Sequence, residues 1–258
     1  MKTPALLALL LSLCASSLGA DLTAKQLIAR VEDAQKSSGF RIRAKLVSSR
    51  PDSAAPEVKQ LLIRGRQHEG TKQVIYQVLW PKPAAGEALL VETSPQGAVS
   101  GLLHSRKGQL TLTPQLMAQP LFNSAITVED VAENFWHWPL QELKGEEVVS
   151  GRSCTILESH PGPGTATSYS LVRSWVSSEL ALPLRVEKFG KDGHLRRRFT
   201  ASKIMKRPHG RWTAAIVTVE SADGRARTTL EGSRAERDIE IPADQFTPQA
   251  IGKLRASP

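Results

Sequence analysis

Residues 40–46 read FRIRAKL. Phe40, Ile42, Ala44 and Leu46 alternate with Arg41, Arg43 and Lys45. Successive strand side chains point to opposite faces, so this period of two writes one apolar face and one basic face. A strand of that kind is half-buried in an antiparallel sheet, because parallel strands are apolar on both sides.

The same period continues outward from it. VKQLLIRGRQ (58–67) and TKQVIYQVLW (71–80) follow, joined by a turn at Glu69-Gly70. In the second, Val74, Tyr76, Val78 and Trp80 share a face. EALLVET (87–93) comes after a Pro-rich turn, and weaker strands lie near 98–104 and 109–113. Strands resume at 140–149, 153–159, 167–177, 182–189, 195–205, 211–220 and 225–233. Asp192-Gly193 and Asp223-Gly224 have the chemistry of tight hairpins. This spacing predicts a mainly β, α+β fold: an antiparallel meander of about eleven strands. It closes into a barrel or stays open and curved, with helices over its concave face.

The helices interrupt this pattern. In LTAKQLIARVEDAQK (22–36), Thr23 and Gln26 have capping-box spacing, and Leu22 and Leu27 stand at staple positions. Leu27, Ile28, Val31 and Ala34 make a narrow apolar stripe, suited to a sheet. ITVEDVAENF (126–135) reads as a second, short helix capped by Thr127, with an Ile126–Val131 staple. The C-terminal DQFTPQAIGKL (244–254) reads as an irregular or short helical cover.

The first twenty residues, MKTPALLALLLSLCASSLGA, have a basic start, an apolar run and small residues before Ala20. That is the form of a cleaved secretory signal, and the run is shorter than the roughly 20 residues of a membrane span. Leu13 before Cys14 departs from the small residue of a lipoprotein signal, so the expected product is soluble, not anchored through Cys14. Residues 21–258 then form one domain, with Cys154 its single cysteine and no internal disulfide. The net charge of +9 suits acidic partners or anionic lipid. Aromatics make up 5% of the chain and do not interleave with arginines, which argues against nucleic acid.

Motifs for catalysis are missing. There is no Gly-x-Ser-x-Gly elbow, phosphate loop or His-Glu-x-x-His. The six histidines show no i+2 or i+4 pairing, so no metal site or cofactor is expected. Cys154 and His160 are a candidate nucleophile pair, weighed against a core Cys and a loop His. Glu129-Asp130 and Glu146-Glu147 read as helix-start and solvated residues. Arg196 and Arg198 read as a basic surface. Arg197 falls on the apolar face; pointing inward it needs a partner, otherwise it snorkels outward. In NFWHWP (134–139), alternation puts Trp136 and Trp138 on one face and His137 on the other.

Several stretches together resemble a known family. They are LWPKPAAGEALLV (79–91), NSAITVEDVAENF (123–135), GEEVVSGRSCTILESHP (145–161), RSWVSSELALPLRVEKFGKDGHLRRRF (173–199), GRWTAAIVTVES (210–221) and IPADQFT (241–247). In this order they are similar to the LolA-like outer-membrane lipoprotein-sorting proteins, in an uncharacterised branch. The resemblance spans about 39–254. It implies a half-barrel with a helical lid, and periplasmic carriage of lipid-modified proteins or lipids. It also implies an inner-membrane transporter as donor and an outer-membrane acceptor. The inward-pointing arginine that family carries in its early strands has no match, since Arg41 and Arg43 lie on a polar face.

Cargo would then lie against Phe40, Ile42, Leu46, Tyr76, Val78, Leu89 and Val91 of the sheet. Leu27, Ile28, Val31, Val131 and Phe135 of the helices would cover it, with Trp136 and Trp138 as a wall. The alternative is an envelope adaptor whose concave face is filled by its own side chains.

Overall fold

The computed structural model describes residues 22–132, 134–207 and 210–254. The signal segment and Cys14 lie outside these residues. Helix α1 spans Ala24–Gln35. Strands β1 (Gly39–Ser49), β2 (Glu57–His68), β3 (Thr71–Trp80), β4 (Ala88–Thr93), β5 (Val99–Ser105) and β6 (Gly108–Thr111) follow. Short helices α2 (Pro114–Met117) and α3 (Val128–Ala132) interrupt them. The second run is β7 (Leu140–Val149), β8 (Arg152–His160), β9 (Tyr169–Ser177), β10 (Leu182–Gly190), β11 (Leu195–Lys206), β12 (Trp212–Ser221) and β13 (Arg227–Arg237). Helix α4 (Pro248–Gly252) closes the described chain, and no described helix is long and apolar enough to cross a membrane.

All thirteen strands belong to one antiparallel sheet, in the order β6-β5-β4-β3-β2-β1-β13-β12-β11-β10-β9-β8-β7. The chain starts mid-sheet and meanders out to one edge at β6. It then crosses to the far edge at β7 and meanders back until β13 pairs with β1. The count exceeds the expected eleven. The two weak stretches near 98–104 and 109–113 both form strands, β5 and β6, although β6 is four residues long and exposed throughout. Glu69 and Gly70 both take positive φ, the tight turn the β2–β3 hairpin needs.

Cross-strand register carries the alternation of β1 across the sheet. Ile42 faces Ile63, which faces Tyr76, which faces Leu89. Phe40 faces Gly65, where an added Cβ would lie 2.3 Å from the Phe40 ring; the ring occupies that space. The resulting apolar face holds Leu46, Val78, Leu89 and Val91 at its centre, under Val128 and Ala132 of α3. Helix α1 covers the other half of the same face. Its Leu27, Ile28 and Val31 pack on Leu157 of β8 and Val176 of β9. The capping box holds its start: Thr23 Oγ1 accepts the Gln26 N–H at 3.2 Å, and Gln26 Oε1 accepts the Thr23 N–H at 2.9 Å. On the opposite face Ile241, Phe246 and Ile251 cover Ile75, Ala88, Leu90 and Leu102, so the C-terminal segment is the cover its sequence suggests.

Leu157 sits fully buried where α1 meets the sheet, whereas Val148 on the edge strand β7 is 67% exposed. Leu157→Ala is expected to destabilise the protein by about 2–5 kcal/mol, from lost burial plus a cavity. Val148→Ala should stay within about 0.5 kcal/mol. Equilibrium urea unfolding of the two variants measures both.

Candidate functional site

Strands β10 and β11 bring two cations face to face. Lys188 and Arg197 are direct cross-strand partners, and both point into the concave side. Like charges opposite one another destabilise a sheet. Helix α3 supplies the counter-charge. Thr127 caps it by accepting the Asp130 N–H at 3.2 Å, and Asp130 Oδ2 accepts the Thr127 N–H at 2.8 Å. This box turns the Asp130 carboxylate inward. Its Oδ1 lies 3.2 Å from Lys188 Nζ and its Oδ2 lies 3.2 Å from Arg197 Nε.

Aromatic and backbone groups complete the centre. The Tyr169 hydroxyl donates to Asp130 at 2.7 Å and accepts from Arg197 Nη1 at 3.2 Å. Arg197 Nε also donates to the Ala125 carbonyl at 2.8 Å, tying β11 to the chain entering α3. Lys188 Nζ stands 5.0 Å from the Tyr169 ring, 5.5 Å from Phe199 and 5.7 Å from Phe135. Glu129 accepts from the Thr167 hydroxyl and the Ser168 N–H, each at 2.7 Å, and from the Ser168 hydroxyl. The β8–β9 loop is thereby fastened to α3.

Burial by itself pushes the Asp130 carboxyl up; Lys188 and Arg197, with Thr127 and Tyr169, pull it net below its ordinary value. Burial and the adjacent Asp130 charge raise the Tyr169 phenol, which therefore stays a donor. The centre sets two cations against one bridging carboxylate and ties α3 to strands β9, β10 and β11.

Several sequence expectations change here. Glu129 and Asp130 stand in the first turn of α3, as expected, but their side chains are buried, because α3 lies across the concave face. Arg197 does not snorkel out but finds its inward partner in Asp130. Arg196 and Arg198, expected as a basic surface, are exposed, and each pairs with a carboxylate, Asp192 at 2.5 Å and Glu187 at 2.7 Å. Lys188 and Tyr169 were not anticipated at all. The readable signal was that Val186 and Lys188 share a strand face, with Lys188 opposite Arg197.

The expected lipid-contacting residues divide into three packed groups. Phe40, Ile42, Leu46, Tyr76, Val78, Leu89, Val91 and Val131 meet under α3. Burial pushes the Tyr76 phenol up to about 12. Leu27, Ile28, Val31 and Trp136 pack together over β8 and β9. Phe135 and Trp138 join Tyr169 and Val172. The two tryptophans therefore do not share a face. Residues Phe135–His137 form a 3-10 turn, which rotates successive side chains by a third of a turn instead of alternating them. Phe135 stands between them, 4.6 Å from the Trp136 ring and 6.4 Å from Trp138.

Beside this layer a cavity of about 450 Å³ opens between the two halves of the sheet. Val99, Leu112 and Met117 line one side, Trp138 and Pro139 another, and Thr165 and Ala166 a third. Glu129, Asn134 and His137 add polar groups at its wall. Trp138 alone among the fourteen expected residues lines it.

Cys154 and His160 do not form a pair. Both lie on β8 six residues apart, about 20 Å along an extended strand. Glu142, Glu158 and His160 present donor atoms within 4.8 Å of one another. Lys144 lies 2.6 Å from Glu142 and 3.8 Å from Glu158, and Arg173 lies 2.6 Å from Glu158, so cations of the chain already occupy those carboxylates.

An open antiparallel sheet with a crossover lid on an apolar concave face defines a LolA-like half-barrel. Residues 74–253 match the model of a family described as "Uncharacterized protein", and the chain belongs to that family. Comparison with curated proteins finds no match. Among solved structures, a DUF1329 family protein from Desulfovibrio piger is similar with a TM-score of 0.82 and 20% identity, over 88% of this chain and 97% of that one. A putative outer membrane lipoprotein-sorting protein domain from Vibrio parahaemolyticus has a TM-score of 0.79 and 15% identity, over 90% and 100%. A LolA superfamily protein from Nitrosomonas europaea has a TM-score of 0.70 and 17% identity, over 88% and 98%. At these identities the likeness is one of fold.

Asp130→Ala leaves Lys188 and Arg197 facing each other without a carboxylate, and is expected to cost about 3–5 kcal/mol. The lowered carboxyl value also sets a pH dependence. Stability from Asp130 is complete above its unfolded value of about 4 and is lost as pH falls through the lower folded value. The wild-type urea midpoint should therefore drop below about pH 4. Asp130→Asn should lack that component, which a pH series on both proteins reads directly.

Proposed function

We propose that the protein is a periplasmic carrier that binds acyl chains of lipid-modified proteins or lipids. Residues 1–20 export it, and residues 21–258 form the carrier domain. Its donors and acceptors are an inner-membrane transporter and an outer-membrane acceptor. The observation that carries this reading is the cavity of about 450 Å³ beside an apolar concave face under a crossover lid. Moving an acyl chain through water costs about 0.8 kcal/mol per exposed methylene, so a sixteen-carbon chain costs on the order of 12 kcal/mol. A carrier needs an apolar enclosure with non-directional contacts and no catalytic group. The shared fold with a putative lipoprotein-sorting domain supports the same reading.

The packed state of the concave face gives the cargo two places. The cavity accepts the first part of a chain, and the face under α1 and α3 becomes available where the helices lift. The Asp130 centre anchors α3 to β10 and β11, so movement there uncovers the half of the face beneath α3.

Protein purified from its native periplasm should carry acyl-chain lipid, identified by mass spectrometry of organic extracts. Ala98→Trp and Ala166→Trp, which place an indole in the cavity mouth, should weaken binding of a fluorescent fatty acid about tenfold, the loss of roughly two buried methylenes. Lipid-free native protein that also gains no thermal stability with fatty acids would sink the reading.

A further inference from the structure

The outward face of the central strands carries more cations than the fold pairs with carboxylates. Arg41, Arg43 and Lys45 point out from β1. Arg64 of β2 stands directly opposite Arg41, and Arg234 of β13 directly opposite Arg43. Arg66 is opposite Gly39 one pleat further along. Two carboxylates answer these six cations. Glu236 lies 3.2 Å from Arg41 and 3.3 Å from Arg234, and Glu231 lies 3.9 Å from Lys45. Arg43, Arg64 and Arg66 make no ion pair among the described residues. Arg64 donates to neutral Gln245 at 3.1 Å and Gln77 at 3.3 Å. Burial, and then the Arg41 charge across the strand pair, pull the Arg64 guanidinium below its ordinary value.

Folding alone does not favour this arrangement, because like charges directly opposite destabilise a sheet. On the concave side the chain meets the same problem, Lys188 opposite Arg197, by delivering Asp130. On the outer side Glu236 is shared between Arg41 and Arg234, and no carboxylate reaches Arg43, Arg64 or Arg66 among the described residues. Two carboxylates against six cations leave this face with an excess of positive charge, which an anionic surface outside the molecule complements. Strands β2, β1 and β13 are interior to the sheet, so they offer no free edge to which a polypeptide could add a strand. What they offer is a broad array of planar guanidinium forks, whose geometry matches phosphate oxygens.

We propose that the outward face of β2, β1 and β13 docks the protein on anionic phospholipid headgroups at a membrane surface, with Arg41, Arg43, Arg66 and Arg234 contacting phosphate and the half-buried Arg64 adding charge behind them. This surface is separate from the cavity and does not depend on the carrier reading.

The test is co-sedimentation of the full chain with vesicles of phosphatidylcholine alone, or with about one third phosphatidylglycerol. Binding should require the anionic lipid and weaken in high salt. Arg43→Gln with Arg66→Gln, both without an ion pair among the described residues, should weaken it about thirtyfold, a factor of about five per near-surface cation. Arg196→Gln with Arg198→Gln removes the same charge from paired positions and should change binding less than about twofold. Without vesicles, Arg43→Gln should raise the thermal midpoint, since it relieves the like-charge pair with Arg234. Equal loss from both double variants would reduce the effect to net charge and overturn the proposal. So would equal binding to both vesicle types, or retention on polyglutamate with no vesicle binding. The cavity variant Ala98→Trp should bind vesicles normally.

Discussion

One buried carboxylate holds the two layers of this protein together. Strands β10 and β11 place Lys188 and Arg197 in register on the face that must also bury Val172, Val186 and Phe199. Neither cation could stay there unpaired, since burying a charge without a partner costs several kcal/mol. Asp130 arrives from the crossover segment and bridges both. It is oriented by its own helix cap, so the local structure of α3 and the long-range closure of the lid are one event. Take away the cap and the carboxylate loses its direction; take away the carboxylate and two facing cations are left beneath the lid.

The topology makes this dependence unavoidable. Because β1 pairs with β13, the chain begins and ends its meander mid-sheet, and its one long connection runs from edge to edge. That connection has to pass over a face, and the concave apolar face is the one that gains by being covered. The two sheet edges stay open. β6 is too short to template another strand, and β7 carries Glu142, Lys144, Glu146 and Glu147, a charged rim of the kind that blunts edge pairing. The cavity sits where loops from both halves approach: residues 96–99 on one side, 139 and 165–166 on the other.

Much of this was legible in the sequence because a period of two is a direct image of burial. FRIRAKL announced both faces of β1, and the capping boxes at Thr23 and Thr127 marked both helix starts. Legibility failed where the backbone left the strand. The alternation drawn through NFWHWP assumed extended chain, and a 3-10 turn sent Trp136 and Trp138 to different neighbours. It failed again for Glu129 and Asp130. Acidic residues in a first helical turn are common on surfaces, and nothing local reveals that this turn lies across a sheet. The partner, Lys188, is 58 residues away and becomes a neighbour through strand order alone. The one pointer was compositional: two cations, Lys188 and Arg197, on faces otherwise written in Val and Phe.

On the carrier reading, magnitudes decide whether such a lid could open at all. Separating α3 from β10 and β11 exposes the Asp130 centre, a cost of about 3–5 kcal/mol if its charges were left dry. Entry of water lowers that figure. Burying a sixteen-carbon chain returns on the order of 12 kcal/mol against leaving it in water. Loading can therefore lift the lid, with several kcal/mol remaining for the apolar side chains that the helices release. Unloading cannot run on the lid alone, since reclosing recovers less than the chain forfeits. Release has to occur where the acyl chain passes directly into another apolar phase, a bilayer or a second protein, and never into water. A polar latch fits that requirement better than a purely apolar seam: it re-forms in one geometry, so the empty protein returns to a closed state that keeps its own greasy face dry.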